Sequence, residues 1–275
     1  MLIGIYALAS AAVSLGICWF TGSFGGNRWL WLLPTAGLGL FLLLCLITFL
    51  YLLYLCHKVD QNVPQEEDDP LYRTFANLLL QSVLPVLRIH IRKTGMEKVP
   101  ESGRFLLVCN HCSDSDPIIL MREFAKYRLA FISKKENRDM FVIGPMMHKL
   151  QCQLINREND REALKTILRC IQILKEDKAS ICVFPEGYTS KDGKLHHFRN
   201  GVFKIAQKAN VPIVVCTIRN TRTIFKNLAK LKKTDVEFHL VDVIPPEETK
   251  GLSTVELSDR IYECMIADLG EEFRF

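Results

Sequence analysis

Charge is almost missing from the first part of this 275-residue chain. Arg28 is the only formally charged side chain in the first 57 positions, whereas residues 58 onward are rich in Lys, Arg, Asp and Glu. Two stretches carry no charge at all, 2–20 (LIGIYALASAAVSLGICWF) and 29–56 (WLWLLPTAGLGLFLLLCLITFLYLLYLC). Each reaches the roughly 20 residues needed to cross a bilayer core. Residues 21–28 (TGSFGGNR) are short and Gly-rich, as a tight helical hairpin requires. Either both stretches span, or the second spans while the first lies at the interface. A basic start is also lacking, so 1–20 is not read as a cleaved signal peptide. The ten cysteines are scattered, three of them (Cys18, Cys45, Cys56) in the apolar part. That pattern excludes a disulfide framework and fits a reducing compartment. No basic run is interleaved with aromatics, so nucleic acid is not an expected partner. There is no internal repeat and no low-complexity tract. The formal net charge of +5 lies outside the apolar part and suits anionic headgroups or an anionic substrate.

Three regions follow. Residues 1–58 form a hydrophobic helical membrane anchor of one or two spans. Residues 59–91 form an acidic, Pro-containing linker with an apolar helical pattern over 71–91, interrupted by Pro85. That helix suits the membrane surface or the core of the next domain equally. Residues 92–275 alternate short apolar runs with helical patterns, which predicts an α/β fold: a mixed, mostly parallel sheet flanked by helices. The strand candidates are 104–109, 129–133, 152–156, 180–184, 212–218 and 236–243. Helices are predicted over 158–174 and 200–209, with a last one opened by a Ser253–Glu256 capping box. The Lys/Arg-rich body that follows, with His57 and Lys58 at the boundary, favours a catalytic domain on the cytosolic face.

The most informative stretch is Val108-Cys109-Asn110-His111-Cys112-Ser113-Asp114-Ser115-Asp116-Pro117. A strand ends at Asn-His, a carboxylate follows five residues on, and Pro117 suits the first turn of a helix. On a continuous helix His111 and Asp116 would stand about 140° apart, so their pairing needs the intervening turn. A carboxylate on one imidazole nitrogen fixes the tautomer and leaves the other nitrogen as a general base. A structural His beside a helix-capping Asp gives the same spacing. Cys112 or Ser113 beside His111 is a nucleophile candidate. The Cys109-x-x-Cys112 spacing has no second pair to complete a metal site. A second strand ends at Phe184-Pro185-Glu186-Gly187-Tyr188-Thr189-Ser190, with Lys191, Lys194, His196, His197 and Arg199 close behind as a cationic cluster suited to phosphate.

Read together, these stretches resemble the glycerolipid acyltransferase family, in particular the 1-acylglycerol-3-phosphate O-acyltransferases. The family's Asn-His motif, with Asp after four residues, matches at His111 and Asp116. Its Phe-Pro-Glu-Gly-Thr-Arg-Ser motif matches at Phe184, Pro185, Glu186, Gly187 and Ser190. Leu154-Ile155-Asn156-Arg157 resembles the second motif and Val211-Pro212-Ile213-Val214 the fourth. The Thr-Arg pair of the third motif is replaced by Tyr188-Thr189, and Gln151 and Leu154 stand where Gly and Phe are usual.

The resemblance implies direct acyl transfer from a thioester, acyl-coenzyme A or acyl carrier protein, to the free hydroxyl of 1-acylglycerol-3-phosphate, giving phosphatidic acid. His111 would be the general base, oriented by Asp116. Asn110, Arg157, Glu186, Gly187, Ser190, Lys191 and Arg199 would form the substrate site, with the Gly187 amide near the developing oxyanion. Arg157 would hold the acceptor phosphate, and Lys191 or Arg199 would replace the missing motif arginine. No metal and no further cofactor is implied, and membrane lipids are the expected partners. Another lysophospholipid or glycerol-3-phosphate remains an alternative acceptor, and a non-catalytic, membrane-tethered lipid or acyl-carrier binding protein is the alternative outside enzymology.

Overall fold

The computed structural model describes residues 2–275 as two units, the first ending at Asp60 and the second running from Gln61 to Phe275. In the first, helices α1 (Leu2–Phe20) and α2 (Trp29–His57) pack on each other through a short turn in which Gly22 takes a left-handed φ of 64°. Their crossing is close at Ser14 and Gly37, where a Cβ on Gly37 would lie 3.2 Å from Ser14 Oγ. Tyr6 and Thr48 join the two helices through a hydroxyl–hydroxyl bond of 2.6 Å. Helix α2 starts at Trp29 and contains Pro34. At 1.5 Å per residue the helices run about 28 Å and about 43 Å. Both are long and apolar enough to cross a membrane, and Leu8, Trp19, Phe20 and Trp31 project outward from them. These features suit membrane association.

The second unit contains α3 (Pro70–Val86), β1 (Ile89–Thr94), β2 (Leu106–Cys109), α4 (Asp116–Glu123), β3 (Leu129–Lys134), α5 (Ile143–Lys149), β4 (Gln153–Ile155), α6 (Asp160–Lys175), β5 (Ser180–Val183), α7 (Lys204–Ala209), β6 (Ile213–Arg219), α8 (Ile224–Ala229), β7 (Thr234–Ile244), α9 (Pro246–Thr249) and α10 (Thr254–Leu269). The strands form one sheet in the order β1-β7-β6-β2-β5-β3-β4. Five of them, β6, β2, β5, β3 and β4, are mutually parallel, while β7 runs antiparallel to β6 and carries β1 parallel to itself. This is the mixed, mostly parallel sheet that the sequence predicts. All six strand candidates are strands.

Helices α6, α7 and α10 cover one face. Their Ile173, Leu174, Ile205, Leu257, Ile261 and Met265 share a core with Leu106, Val108, Ile181, Val183, Ile213 and Val215 of the central strands. Alternate strand residues point to the other face, where Phe105, Phe124, Tyr127 and Phe238 interlock at 5.3–6.0 Å between ring centroids. Caps set the helix starts: Asn159 accepts from the amides of Arg161 and Glu162, and Ser253 with Glu256 closes the expected capping box.

The helix expected over 71–91 is shorter. It ends at Val86, one residue after Pro85, and Arg88 then turns the chain with a φ of 54° into β1. A boundary at residue 92 therefore falls inside an edge strand. Helix α3 packs on α4, α5 and β1. Its Arg73 is buried, paired with Asp68 at 2.7 Å and donating to the Leu129 carbonyl at 3.0 Å. This favours core packing over a free position on the membrane surface.

Candidate active site

The carboxyl ends of the parallel strands converge, as is usual for sites in open α/β sheets. Strand β2 delivers Asn110 and His111, β5 delivers the 184–190 loop, β4 delivers Arg157, and β6 is followed by Arg222. Asp116 is the first residue of α4 and is fully buried. The turn before that helix brings its Oδ2 to 2.9 Å from His111 Nδ1. The same oxygen accepts from the amides of Cys112 and Ser113, each at 2.7 Å. A carboxylate holding three donors can only accept, so Nδ1 carries the imidazole proton and Nε2 presents its lone pair. The ring is held flat against Phe184, 4.1 Å between centroids and 18° between planes.

His111 is also clamped by its backbone. Its amide donates to Glu186 Oε1 at 2.8 Å, and its carbonyl accepts from the Ser190 amide at 2.8 Å. The second oxygen of Glu186 accepts from the His196 amide at 3.1 Å. Burial pushes the Glu186 carboxyl up to about 7, against the opposing pull of those two amide bonds. Ser190 Oγ donates to Asp192 at 2.9 Å and accepts from the Gly193 amide at 3.0 Å. Asn110, only 3% exposed, accepts from the Ile218 amide at 2.8 Å and donates to the Ile218 carbonyl at 2.9 Å and to Cys112 Sγ. Asn110, Glu186 and Ser190 are thus turned inward. They fix the two loops instead of facing a substrate directly.

Gly187 has a φ of 81°, and a Cβ there would lie 2.7 Å from Arg199 Nε. The glycine is needed for the turn and for the Arg199 side chain that lies across it. Its amide donates to the Phe184 carbonyl at 3.0 Å, so the expected oxyanion donor is already used by the turn. The outward-facing charges are Arg157, Lys191 and Arg199, all exposed. Partial desolvation, followed by the like charge of Arg199, lowers the Arg157 pKa, with Glu136 opposing. Two guanidinium groups that repel each other in this way form a natural seat for an anion. Arg157 also borders a hollow of about 300 Å³ lined by Lys134, Glu136 and Asn156.

Reading by sequence alone misses two side chains at this centre. Thr189 Oγ1 lies 3.1 Å from His111 Nε2, where a hydroxyl facing that lone pair acts as donor. Arg222 donates to the Lys191 carbonyl and pins that loop. A position three residues beyond the end of β6 was the available signal for Arg222. Cys112, a nucleophile candidate, is a neutral thiol here: burial, then the charges of Asp116 and Glu186, push its pKa up to about 12.

Residues 90–219 match the family model described as Acyltransferase. The chain is 31% identical over 185 residues to the "Probable 1-acyl-sn-glycerol-3-phosphate acyltransferase" of Mycoplasma pneumoniae, covering 66% of each chain. It is 32% identical over 159 residues to the chloroplastic 1-acyl-sn-glycerol-3-phosphate acyltransferase LPAT1 of Arabidopsis thaliana, covering 56% of this chain and 43% of that one. The match thus spans between about two fifths and two thirds of these relatives' lengths. The crystal structure of the 1-acyl-sn-glycerophosphate acyltransferase PlsC from Thermotoga maritima shares the fold, with a TM-score of 0.61 at 22% identity over 82% of this chain and 88% of that one. With both site motifs inside the matched region, the chain belongs to the acyltransferase family.

Proposed function

We propose that this chain moves a fatty acyl group from an acyl thioester to the free hydroxyl of 1-acylglycerol-3-phosphate, forming phosphatidic acid at a membrane. The observation that carries this reading is the His111–Asp116 pair at 2.9 Å, with Nε2 already bonded to one hydroxyl, that of Thr189 at 3.1 Å, which an acceptor hydroxyl would displace, and with Arg157 and Arg199 beside the same loop. His111 Nε2 takes the proton of the acceptor hydroxyl as its oxygen attacks the thioester carbonyl. Asp116 stabilises the imidazolium, which then protonates the departing thiolate. General-base assistance of this kind is worth about 10²–10⁴-fold. A thiolate leaves readily, so the reaction as written calls for no Lewis acid. Arg157 and Arg199 hold the acceptor phosphate, with Lys191 as a further cation. The donor is acyl-coenzyme A or acyl carrier protein, and the catalytic unit faces the cytosol, in keeping with its Lys/Arg content.

The substitution of Tyr188-Thr189 for the motif's Thr-Arg pair supports a second reading, in which the acceptor is another lysophospholipid or glycerol-3-phosphate. One assay separates these. Thiol release from acyl-coenzyme A is followed with purified full-length protein and a panel of acceptors, for wild type and His111→Ala. Release that depends on lysophosphatidic acid and falls about 10²-fold or more in the variant is expected. Release with a different acceptor only would replace the first reading by the second. An active His111→Ala protein would overturn both.

A further inference from the structure

His111 is fixed from two sides, and both supports lead to the same stretch of chain. On one side, Asn110 is bonded to the peptide of Ile218 in β6. The side chains flanking Ile218 meet the end of α10. Thr217 Oγ1 donates to Asp268 Oδ2 at 2.5 Å, and Arg219 donates to the Asp268 carbonyl. His239 of β7 bonds the other Asp268 oxygen at 3.0 Å, and the Arg219 guanidinium lies 5.6 Å from the centroid of the Phe273 ring. On the other side, the His111 amide is held by Glu186, whose second oxygen accepts from the His196 amide. Leu195, the residue before it, donates its amide to the Phe273 carbonyl at 2.7 Å, and its own carbonyl accepts from Tyr262 of α10 at 2.9 Å. Phe275 rests against the His196 ring, 4.1 Å between centroids.

We propose that residues 270–275 brace the active site, and that Phe273 is a positioning residue for acyl transfer, its ring steadying β6 and its carbonyl the loop after β5. This rests on the acyl-transfer reading above. The segment is itself tied down. Gly270, with a φ of 105°, turns the chain out of α10, and Arg274 pairs with Glu263 of α10 at 2.6 Å and with Glu271 at 2.7 Å. Phe273 is where the two supports meet, so a shift there reaches His111 through Asn110 and through Glu186 together. A general base displaced by about 1 Å by a distant change loses about 10²-fold in rate. The charges assigned to the acceptor phosphate keep their places. Arg157 follows β4 at the far edge of the sheet, and Arg199 is fixed separately by its amide on the Pro185 carbonyl. The brace therefore acts on the chemical step and not on acceptor binding.

The test uses full-length protein in detergent, with palmitoyl-coenzyme A or palmitoyl-acyl carrier protein as donor and lysophosphatidic acid as acceptor. Wild type, Phe273→Leu, Phe273→Tyr and Tyr262→Phe are compared. Initial rates give kcat and both KM values, and melting curves give the folded fraction at the assay temperature. In parallel, without substrate, each protein is treated briefly with diethyl pyrocarbonate. Peptide mass spectrometry then gives the modification rate of His111 relative to His90, which is exposed on β1. Phe273→Leu should lower kcat by about tenfold or more, with both KM values nearly unchanged. Tyr262→Phe removes only the hydroxyl on the Leu195 carbonyl and should lower kcat by a smaller factor. In both, His111 should react about threefold faster or more relative to His90, as its loops open. Phe273→Tyr keeps the ring and should match wild type throughout. Wild-type kcat and an unchanged His111 rate in Phe273→Leu and Tyr262→Phe overturn the brace and leave the proposed function standing. A rate that falls only with the folded fraction overturns it too, since that is a role in stability alone. So does a higher KM for lysophosphatidic acid at unchanged kcat, because the segment would then shape the acceptor site. Wild-type protein that forms no product with either donor overturns the proposed function, and the His111 rates then decide on the brace alone.

Discussion

Glu186 is 1% exposed, yet each of its carboxylate oxygens receives a backbone amide, from His111 at 2.8 Å and from His196 at 3.1 Å. Burial outweighs those bonds and raises the carboxyl to about 7. The folded state therefore keeps a proton that the unfolded chain gives up above about 4.5. The stabilisation from this group is full below about 4.5 and is lost as pH rises through about 7, on the order of 3 kcal/mol across that window. Glu186→Gln removes the titration, so its melting temperature, measured beside wild type in detergent from pH 4.5 to 8, should gain on wild type as pH rises. Parallel curves would rule out a titrating Glu186. The amide NH₂ of the variant must also face one of the two backbone donors, so activity should fall about tenfold or more from one lost hydrogen bond at the His111 loop. Residue identity at this site is largely legible from the sequence: His111 and Glu186 follow strand ends and Asp116 opens a helix, all in recognisable motifs. Direction is not. Whether Asn110, Glu186 and Ser190 face in or out depends on which loop crosses which, and that is set by tertiary contacts. Thr189 escapes notice for a different reason, since the missing arginine of its motif draws attention to charge.

At the scale of elements, the site depends on how β2 ends. Cys109 is the last ladder residue of that strand, and the Asn110 amide then extends the pairing to β6 by exchanging two hydrogen bonds with Ile218. The side chain behaves as one more peptide unit, and it holds His111 at the mouth of the sheet. Asn110→Ala leaves the buried amide and carbonyl of Ile218 unpaired, at a cost of about 1–3 kcal/mol. A lower melting temperature is expected, together with a fall in kcat that exceeds any rise in KM, because the base is displaced while the exposed arginines stay. A KM effect alone would mean that Asn110 touches the acceptor. The core strands are easy to read because they are short apolar runs bounded by polar turns. Strand β1 is hidden because apolar helical spacing continues through Leu87, and nothing local marks Arg88 as the turn. Helix α5 is hidden by Gly144 and Pro145, which read as a loop, although both are buried here and a Cβ on Gly144 would collide with the Arg138 carbonyl. Tertiary packing overrides local propensity at both places.

Across the whole molecule, composition divides sharply. Helices α1 and α2 contain no Asp, Glu, Lys or Arg, and Arg28 lies in the turn between them. In a bilayer, each Leu, Ile, Phe or Val near the centre of a spanning helix contributes about 0.3–0.6 kcal/mol to insertion, whereas a central charge opposes it by about 2.5–3.5 kcal/mol. Helix α2 alone carries 13 Leu among its 29 residues, so its insertion is favoured by several of the first terms and opposed by none of the second. Electrostatic attraction between a body of net positive charge and anionic lipids adds a weaker, salt-sensitive hold. The two contributions separate experimentally. Membranes containing the full chain, washed with 1 M salt or at alkaline pH, should retain it, and detergent should release it. A chain starting at Gln61 should instead wash off with salt and still show α/β circular dichroism. Loss of the full chain to the salt wash would mean that α1 and α2 do not insert. Retention of the shortened chain in salt would place a second apolar anchor in the catalytic unit, for which the exposed Leu71, Val83 and Val86 of α3 would be the first residues to replace.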